Sequence, residues 1–228
     1  MISNICSFQA YINRLLGFVP KSLVFDFDGT ITFNSDFLKK QNIKKAALMS
    51  GVEQSDACRF ADFFFQNSGL GREVKIQSHF PPEKAKEIIT NYNRLNRDMW
   101  RDLEFVDGFA EFAELMKELN ETELYILSGG KQSEICAFLE AQKILPYFTK
   151  IFSDDMTKAE HFEKNKFLRE NALFFCDSKY DVTTANLFDV PCIVVLSEVS
   201  RNINKNDNSC VIKYIKDFRQ LLTEIHSA

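Results

Sequence analysis

The hydrophobic residues from about residue 107 onward form short apolar runs that alternate with amphipathic stretches. This pattern predicts strands spaced by helices. The predicted strands in this part span 123–127, 150–152, 172–176 and 192–196. The predicted helices span 107–119, 131–142, 157–170, 179–188 and 211–226.

The earlier part of the chain contains one predicted strand, 22–27, followed by a purely helical pattern up to about residue 102. Helices are predicted at 36–50, 54–67 and 82–99, separated by Gly- and Pro-containing breakers. Because strands that alternate with helices form parallel sheets covered on both faces, we expect an α/β fold with a doubly wound parallel sheet. An all-helical cap domain, 34–102, is then inserted into a core domain made of 1–33 and 103–228.

Composition and charge narrow the range of partners. The net charge is −4, so the chain has no overall basic field for nucleic acid or for anionic lipid. The six cysteines include no CxxC pair, which is typical of core residues in a reducing compartment. The sequence has no signal-peptide pattern, and no stretch reaches the ~18–20 apolar residues of a membrane span. We therefore expect a cytoplasmic protein, with no indication of its oligomeric state.

The first predicted strand ends in two acids, Asp26 and Asp28. An unpaired carboxylate in a buried strand costs several kcal/mol, so these acids require a compensating cation or a chemical role. In α/β sheets, ligands bind at the carboxyl ends of the strands, which is where both acids lie.

Three further segments place polar residues after predicted strands: Ser128-Gly129-Gly130, Lys158, and Asp177-Ser178-Lys179-Tyr180-Asp181. If the strand ends converge, four aspartates share one pocket and cannot all ionise without compensation. A hard divalent cation such as Mg²⁺ resolves this crowding, because it binds carboxylates, waters and a substrate phosphate. Lys158 adds a positive charge, and the Ser128 hydroxyl with the following N–H groups can bind phosphoryl oxygens. Such a pocket suits phosphoryl transfer.

These four segments, in this order between about residues 22 and 196, resemble the haloacid dehalogenase superfamily of phosphohydrolases. The resemblance implies that Asp26 is the nucleophile and forms an aspartyl-phosphate. It implies that Asp28 protonates the leaving oxygen, then activates water, and binds Mg²⁺ through its backbone carbonyl. An Asp at position 28 favours a hydrolase or a phosphomutase over the dehalogenases and the ATP-driven ion pumps.

The other matched residues acquire roles from the same resemblance. Thr30, Ser128, Gly129 and Gly130 are implied to bind the substrate phosphate. Lys158 is implied to neutralise nucleophile and phosphate, although Lys150 is an alternative that lies at the wrong end of its strand. Asp177 and Asp181 are implied to complete the metal site with Asp26 and Asp28. Cys176 departs from the usual Gly, and Lys158 is not followed by the common Lys-Pro pair.

Two features of the predicted cap bear on the substrate. Arg72 and Lys75 resemble cap residues that face the site in some relatives, where they would bind an anionic leaving group; the alternative is a charged helix start in solvent. Phe60, Phe63 and Phe64 share a helical face and are interpreted as cap core, with a substrate wall as the alternative. The sequence therefore predicts a Mg²⁺-dependent phosphatase acting on a small phosphorylated metabolite. The alternatives are a phosphomutase or an inactive binding protein of the same fold.

Overall fold

A computed structural model describes residues 2–67, 71–118, 122–203 and 209–227 of the chain. Within this part, six parallel strands form one sheet with the order β3-β2-β1-β4-β5-β6. Their bounds are β1 Ser22–Phe25, β2 Glu123–Leu127, β3 Lys150–Phe152, β4 Ala172–Cys176, β5 Cys192–Val195 and β6 Val211–Ile215. The predicted fold class is confirmed.

The described part of the chain contains ten α-helices. They are α1 Ile2–Leu16, α2 Ser35–Met49, α3 Gln54–Gln66, α4 Arg72–Gln77, α5 Pro82–Asn96, α6 Phe109–Lys117, α7 Gln132–Ala141, α8 Lys158–Lys164, α9 Lys179–Leu187 and α10 Phe218–His226. Short 3₁₀ turns lie at Met99–Asp102, Leu145–Tyr147, Lys166–Leu168 and Val199–Asn202. None of the described helices is long and apolar enough to cross a membrane.

The central strand β1 fixes where a ligand site can lie. The chain moves outward from β1 to β2 and β3, then returns to place β4 on the other side of β1. This reversal is a topological switch point, where the ends of neighbouring strands leave a crevice. Phe25 pairs with Ile126 and with Phe175, so the residues that follow these three emerge together at one edge.

The strands separate two apolar layers because successive side chains point to opposite faces. On β1, Leu23 and Phe25 join one buried cluster, whereas Val24 joins the other. Phe25 stacks on Phe175 with ring centroids 4.9 Å apart. This dense aromatic packing anchors the strand ends that carry the acids.

The helices α2 to α5 pack around an apolar cluster of their own, which includes Ile43, Phe60, Ile76, Ile88 and Tyr92. Their separate core accords with an inserted helical unit, and the domain boundaries at 34 and 102 stay a prediction. Phe60 is fully buried there, in agreement with its interpretation as cap core.

The last predicted helix, 211–226, is wrong in its first half. Residues Val211–Ile215 form β6, the edge strand beside β5, and only Phe218–His226 is helical. Val211, Ile212 and Ile215 are β-branched, and Asp217 starts the helix by accepting a hydrogen bond from the Gln220 N–H. The helices α1 and α4 were not predicted.

Candidate active site

One buried lysine connects two of the predicted acids. Lys158 is the first residue of α8, and its Nζ lies 2.7 Å from Asp26 Oδ1 and 2.6 Å from Asp181 Oδ1. The helix begins there because Thr157 and Glu160 form a capping box at its N-terminus. The structure therefore brings Lys158 to the acids, while Lys150 lies on β3 with its ammonium over the Phe152 ring.

Asp181 is held from two sides in the first turn of α9. Its Oδ1 accepts from Lys158, and its Oδ2 accepts from the Ser178 hydroxyl at 2.7 Å. Ser178 is also the N-cap of α9, because its side chain accepts the Asp181 N–H. The cap thus fixes the position of the acid that follows it.

Asp177 completes a cluster of three buried carboxylates. Asp26, Asp177 and Asp181 each offer an oxygen, and these oxygens lie within 4.8 Å of one another. Three of the four predicted metal-binding aspartates therefore converge at the ends of β1 and β4. The Asp28 side chain is outside this cluster, which leaves its backbone carbonyl for the metal role that the resemblance implies.

Crowding and burial shift the protonation of this cluster. Burial raises the pKa of Asp26 to about 8, with a further increase from Asp181 and Asp28, although Lys158 acts in the opposite direction. Burial and the neighbouring Asp36 and Asp26 also raise the pKa of Asp177 well above its ordinary value. Asp26 and Asp177 therefore retain protons that a cation could displace.

Asp28 turns toward the helical unit and forms an ion pair with Lys39 of α2. Burial raises the pKa of Asp28, but the charge and the hydrogen bond of Lys39 outweigh this effect and lower it. Lys39 was not identified from the sequence. Lys39 lies four residues from both Ser35 and Ile43, which are buried, so it shares the inner face of α2 with them. This spacing is the signal by which the sequence could have identified it.

The predicted phosphate-binding residues lie at the same edge but differ in their surroundings. The Ser128 Oγ accepts the Gly130 N–H at 3.0 Å, which forms a tight turn after β2. Gly129 lines the cavity described below, whereas Thr30 is fully buried and its hydroxyl has no hydrogen-bond partner among the described residues. The phosphate contacts of Thr30, Ser128, Gly129 and Gly130 stay a prediction.

A cavity of about 430 Å³ lies between the strand ends and the helices α2 to α5. Asp26, Asp177 and Asp181 line its floor, and cations from the helical unit line its other side. Those cations are Lys39, Lys40, Arg72 and Lys75. A volume of this size is typical of sites for small molecules.

Arg72 lines this cavity, but its guanidinium is already engaged. It forms a two-pronged ion pair with Glu134 of α7, with both N–O distances at 2.9 Å. The Arg72 side chain is 9% exposed, so the alternative of a solvent-facing helix start is wrong. Asn93 and Glu134 accept three of the five N–H donors of Arg72, so its contact with a substrate anion stays a prediction. Sequence reasoning missed Glu134.

Lys75 is also buried and faces the cavity. Its ammonium lies 3.7 Å from the centroid of the Phe64 ring and donates to the Phe64 carbonyl at 3.2 Å. Burial lowers the pKa of Lys75 to about 8. Phe64 belongs to the apolar cluster, in agreement with its interpretation as cap core, and it also lines the cavity. A substrate wall at this residue stays a prediction.

The sequence model of the haloacid dehalogenase-like hydrolases matches residues 23–195. The chain belongs to this family. It is therefore a hydrolase, as its four motifs predict. No curated protein matches it in sequence.

Solved structures support the fold of this haloacid dehalogenase-like hydrolase. CbbY from Rhodobacter sphaeroides, in complex with phosphate, has a TM-score of 0.72 at 15% identity, over 91% of this chain and 99% of the other. A predicted phosphoglycolate phosphatase from Haemophilus somnus has a TM-score of 0.73 at 16% identity, over 89% and 96%. A predicted phosphatase from Clostridium acetobutylicum has a TM-score of 0.70 at 18% identity, over 92% and 100%.

Gly29 supplies the first test of this geometry. Its φ is 72°, and a Cβ there would lie 2.0 Å from Asp177 Oδ2. Because Gly29→Ala must displace Asp177, we expect it to weaken Mg²⁺ binding about tenfold or more, measured by calorimetry. The control is Gly129→Ala, whose added Cβ meets no atom within 4 Å. Equal Mg²⁺ affinity in the two variants would contradict the placement of Asp177.

The raised pKa of Asp26 predicts the pH dependence of stability without metal. Between the ordinary pKa near 4 and about 8, the folded state holds a proton that the unfolded state has lost. The stability that this proton contributes is complete below the pKa of Asp26 in the unfolded chain. It is lost as the pH rises through the pKa of Asp26 in the folded protein. We expect the free energy of unfolding, from urea titrations in chelator, to fall from pH 6 to pH 8.

The variant Asp26→Asn removes this titration. The free energy of unfolding should therefore depend less steeply on pH, by up to about 1.4 kcal/mol per pH unit. Asp98→Asn is the control, because it changes an exposed carboxylate far along the chain. An unchanged slope in Asp26→Asn would refute the protonation of Asp26 in the folded, metal-free protein.

Proposed function

We propose that this hydrolase is a Mg²⁺-dependent phosphatase, which cleaves a small phosphomonoester through an aspartyl-phosphate on Asp26. The observation that carries the proposal is the buried Lys158 ammonium in contact with Asp26 and Asp181, beside the third carboxylate of Asp177. A structural ion pair needs one acid, whereas this lysine contacts two and a third belongs to the same cluster.

The donor set fits magnesium. Asp26, Asp177 and Asp181 provide oxygen atoms within 4.8 Å of one another, and hard oxygen donors are the ligands that Mg²⁺ prefers. Asp26 and Asp177 would hold the ion, with the backbone carbonyl of Asp28, and Asp181 would support them. A bound Mg²⁺ would neutralise charge on the carboxylates and on the phosphoryl oxygens.

In this proposal Asp26 is the nucleophile that attacks phosphorus. Its carboxylate oxygen forms a bond to phosphorus while the bond to the leaving oxygen breaks, which gives an aspartyl-phosphate and an alcohol. Lys158, 2.7 Å from Asp26 Oδ1, offsets negative charge on the nucleophile and on the phosphoryl group. Water then attacks the same phosphorus, restores the Asp26 carboxylate and releases inorganic phosphate.

Asp28 serves as the acid and then the base of this sequence. It gives a proton to the leaving alkoxide in the first step and takes one from water in the second, so the proton count closes. The Lys39 contact lowers the pKa of Asp28 and therefore favours its ionised form, which is the form that accepts the proton from water. Proton donation requires that this contact lengthen.

The size and charge of the cavity favour a small anionic substrate. The cavity measures about 430 Å³, and the cap-side lysines and Arg72 face the acidic floor. One of the similar structures, CbbY, was solved with phosphate and, as a variant, with xylulose-(1,5)bisphosphate. These ligands support a phosphorylated metabolite as the substrate class.

We place the reaction in the cytoplasm. Cys58, Cys136, Cys176, Cys192 and Cys210 are free thiols. Free thiols in a structure with several buried cysteines accord with a reducing compartment.

The proposal is tested with p-nitrophenyl phosphate, with and without Mg²⁺. We expect release of inorganic phosphate only with the metal, and a decrease in kcat of about a thousandfold or more in Asp26→Asn, because the nucleophile is lost. The exposed Asp98→Asn variant should match the wild type. Hydrolysis by Asp26→Asn at the wild-type rate would refute the nucleophile.

The phosphomutase alternative has a distinct outcome in the same assay. A mutase retains the phosphoryl group until an acceptor arrives, so it would release little free phosphate from a single ester. Steady release of phosphate, one molecule per ester consumed, supports the phosphatase.

A further inference from the structure

The loop that follows β5 returns over the carboxyl edge of the sheet and touches the metal-site acid Asp177. Ser197 in this loop donates a hydrogen bond from Oγ to Asp177 Oδ2 at 2.7 Å. Asp177 lies 20 residues earlier, after β4. No motif in the sequence indicates this contact.

The direction of the Ser197 hydroxyl is determined by its other bonds. Its oxygen accepts the Val199 N–H at 3.1 Å and the Ser200 N–H at 3.2 Å. A serine hydroxyl has one proton and two acceptor lone pairs. Because both lone pairs are occupied, the proton has one remaining use, which is the bond to Asp177.

The turn that carries Ser197 is itself closed by a second serine. The Ser200 Oγ accepts the Ser197 N–H at 2.9 Å and donates to the Ser197 carbonyl at 2.9 Å. Ser200 is buried and does not bond to Asp177. Both serines therefore stabilise the turn, and of the two only Ser197 also reaches the acid.

Gly29, in the turn that follows Asp28, confines Asp177 from another side. A Cβ at Gly29 would lie 2.0 Å from Asp177 Oδ2, the same oxygen that accepts from Ser197. This oxygen is therefore enclosed between the Gly29 backbone and the Ser197 hydroxyl. The arrangement limits rotation of the carboxylate within the cluster that it forms with Asp26 and Asp181.

We propose that Ser197 is a positioning residue that orients the Asp177 carboxylate for binding a divalent cation. The inference rests on the proposed function, because it assigns the cation to the Asp26–Asp177–Asp181 cluster. Ser197 acts through Asp177, so its removal should change metal affinity rather than the chemical step. Hydrogen-bonded partners of metal ligands typically change metal affinity by about 10–100-fold when they are removed.

The test compares Ser197→Ala with Ser200→Ala by calorimetric titration of the whole protein with Mg²⁺. We expect Ser197→Ala to raise the Mg²⁺ dissociation constant about tenfold or more, and Ser200→Ala to change it less than about threefold. Saturating Mg²⁺ should restore most of kcat in Ser197→Ala, whereas KM for the phosphate ester should stay near the wild-type value.

Ser197→Thr retains the hydroxyl and should retain the wild-type affinity for Mg²⁺. If Ser197→Ala does not fold, the Mg²⁺ affinity of Ser197→Thr is compared with that of Ser197→Cys, in which a thiol replaces the hydroxyl. The role of Ser197 is overturned if Ser197→Ala binds Mg²⁺ with wild-type affinity, or if Ser200→Ala loses as much Mg²⁺ affinity as Ser197→Ala does. The proposed function stands in either case. Absence of Mg²⁺ binding by the wild type overturns both, so the two failures are distinguishable.

Discussion

The structure depends on the crowding of three buried carboxylates around a single ammonium. Asp26, Asp177 and Asp181 converge within 4.8 Å, and Lys158 provides one positive charge against their three negative ones. Burial makes this imbalance costly, and the raised pKa of Asp26, about 8, expresses that cost. Either protons or a divalent cation must compensate this imbalance, and only the cation leaves Asp26 ionised, as its proposed role of nucleophile requires.

The fold brings this crowding about through strand register. Phe25 pairs with both Ile126 and Phe175, so Asp26 and the residues after β2 and β4 reach the same edge at the switch point of the sheet. The surrounding aromatic layer anchors these strand ends. Two ion pairs, Lys39 with Asp28 and Arg72 with Glu134, then join the helical unit to the core across the cavity. The position of Asp28, the proposed acid–base residue, is thus linked by charge to the helical unit.

Much of this could be predicted from the sequence, because the local signals and the tertiary structure agree at the central strands. Apolar runs that end in Asp26, Ser128 and Asp177 identify buried parallel strands and their functional edge. The edge strand β6 was missed since its partly buried residues lack the apolar run of a central strand. Glu134 and Ser197 were missed for a different reason: their partners lie 62 and 20 residues away, and such pairings arise only in the folded chain.

A crystal structure of the protein grown with Mg²⁺ and trifluoroberyllate, a mimic of the transferred phosphoryl group, tests the central claim most directly. The account predicts beryllium bonded to an Asp26 carboxylate oxygen, with the Lys158 ammonium beside it. It also predicts a Mg²⁺ ion that contacts Asp26, Asp177 and the Asp28 carbonyl. Trifluoroberyllate attached elsewhere, or a magnesium ion that does not contact Asp26 and Asp177, would contradict it.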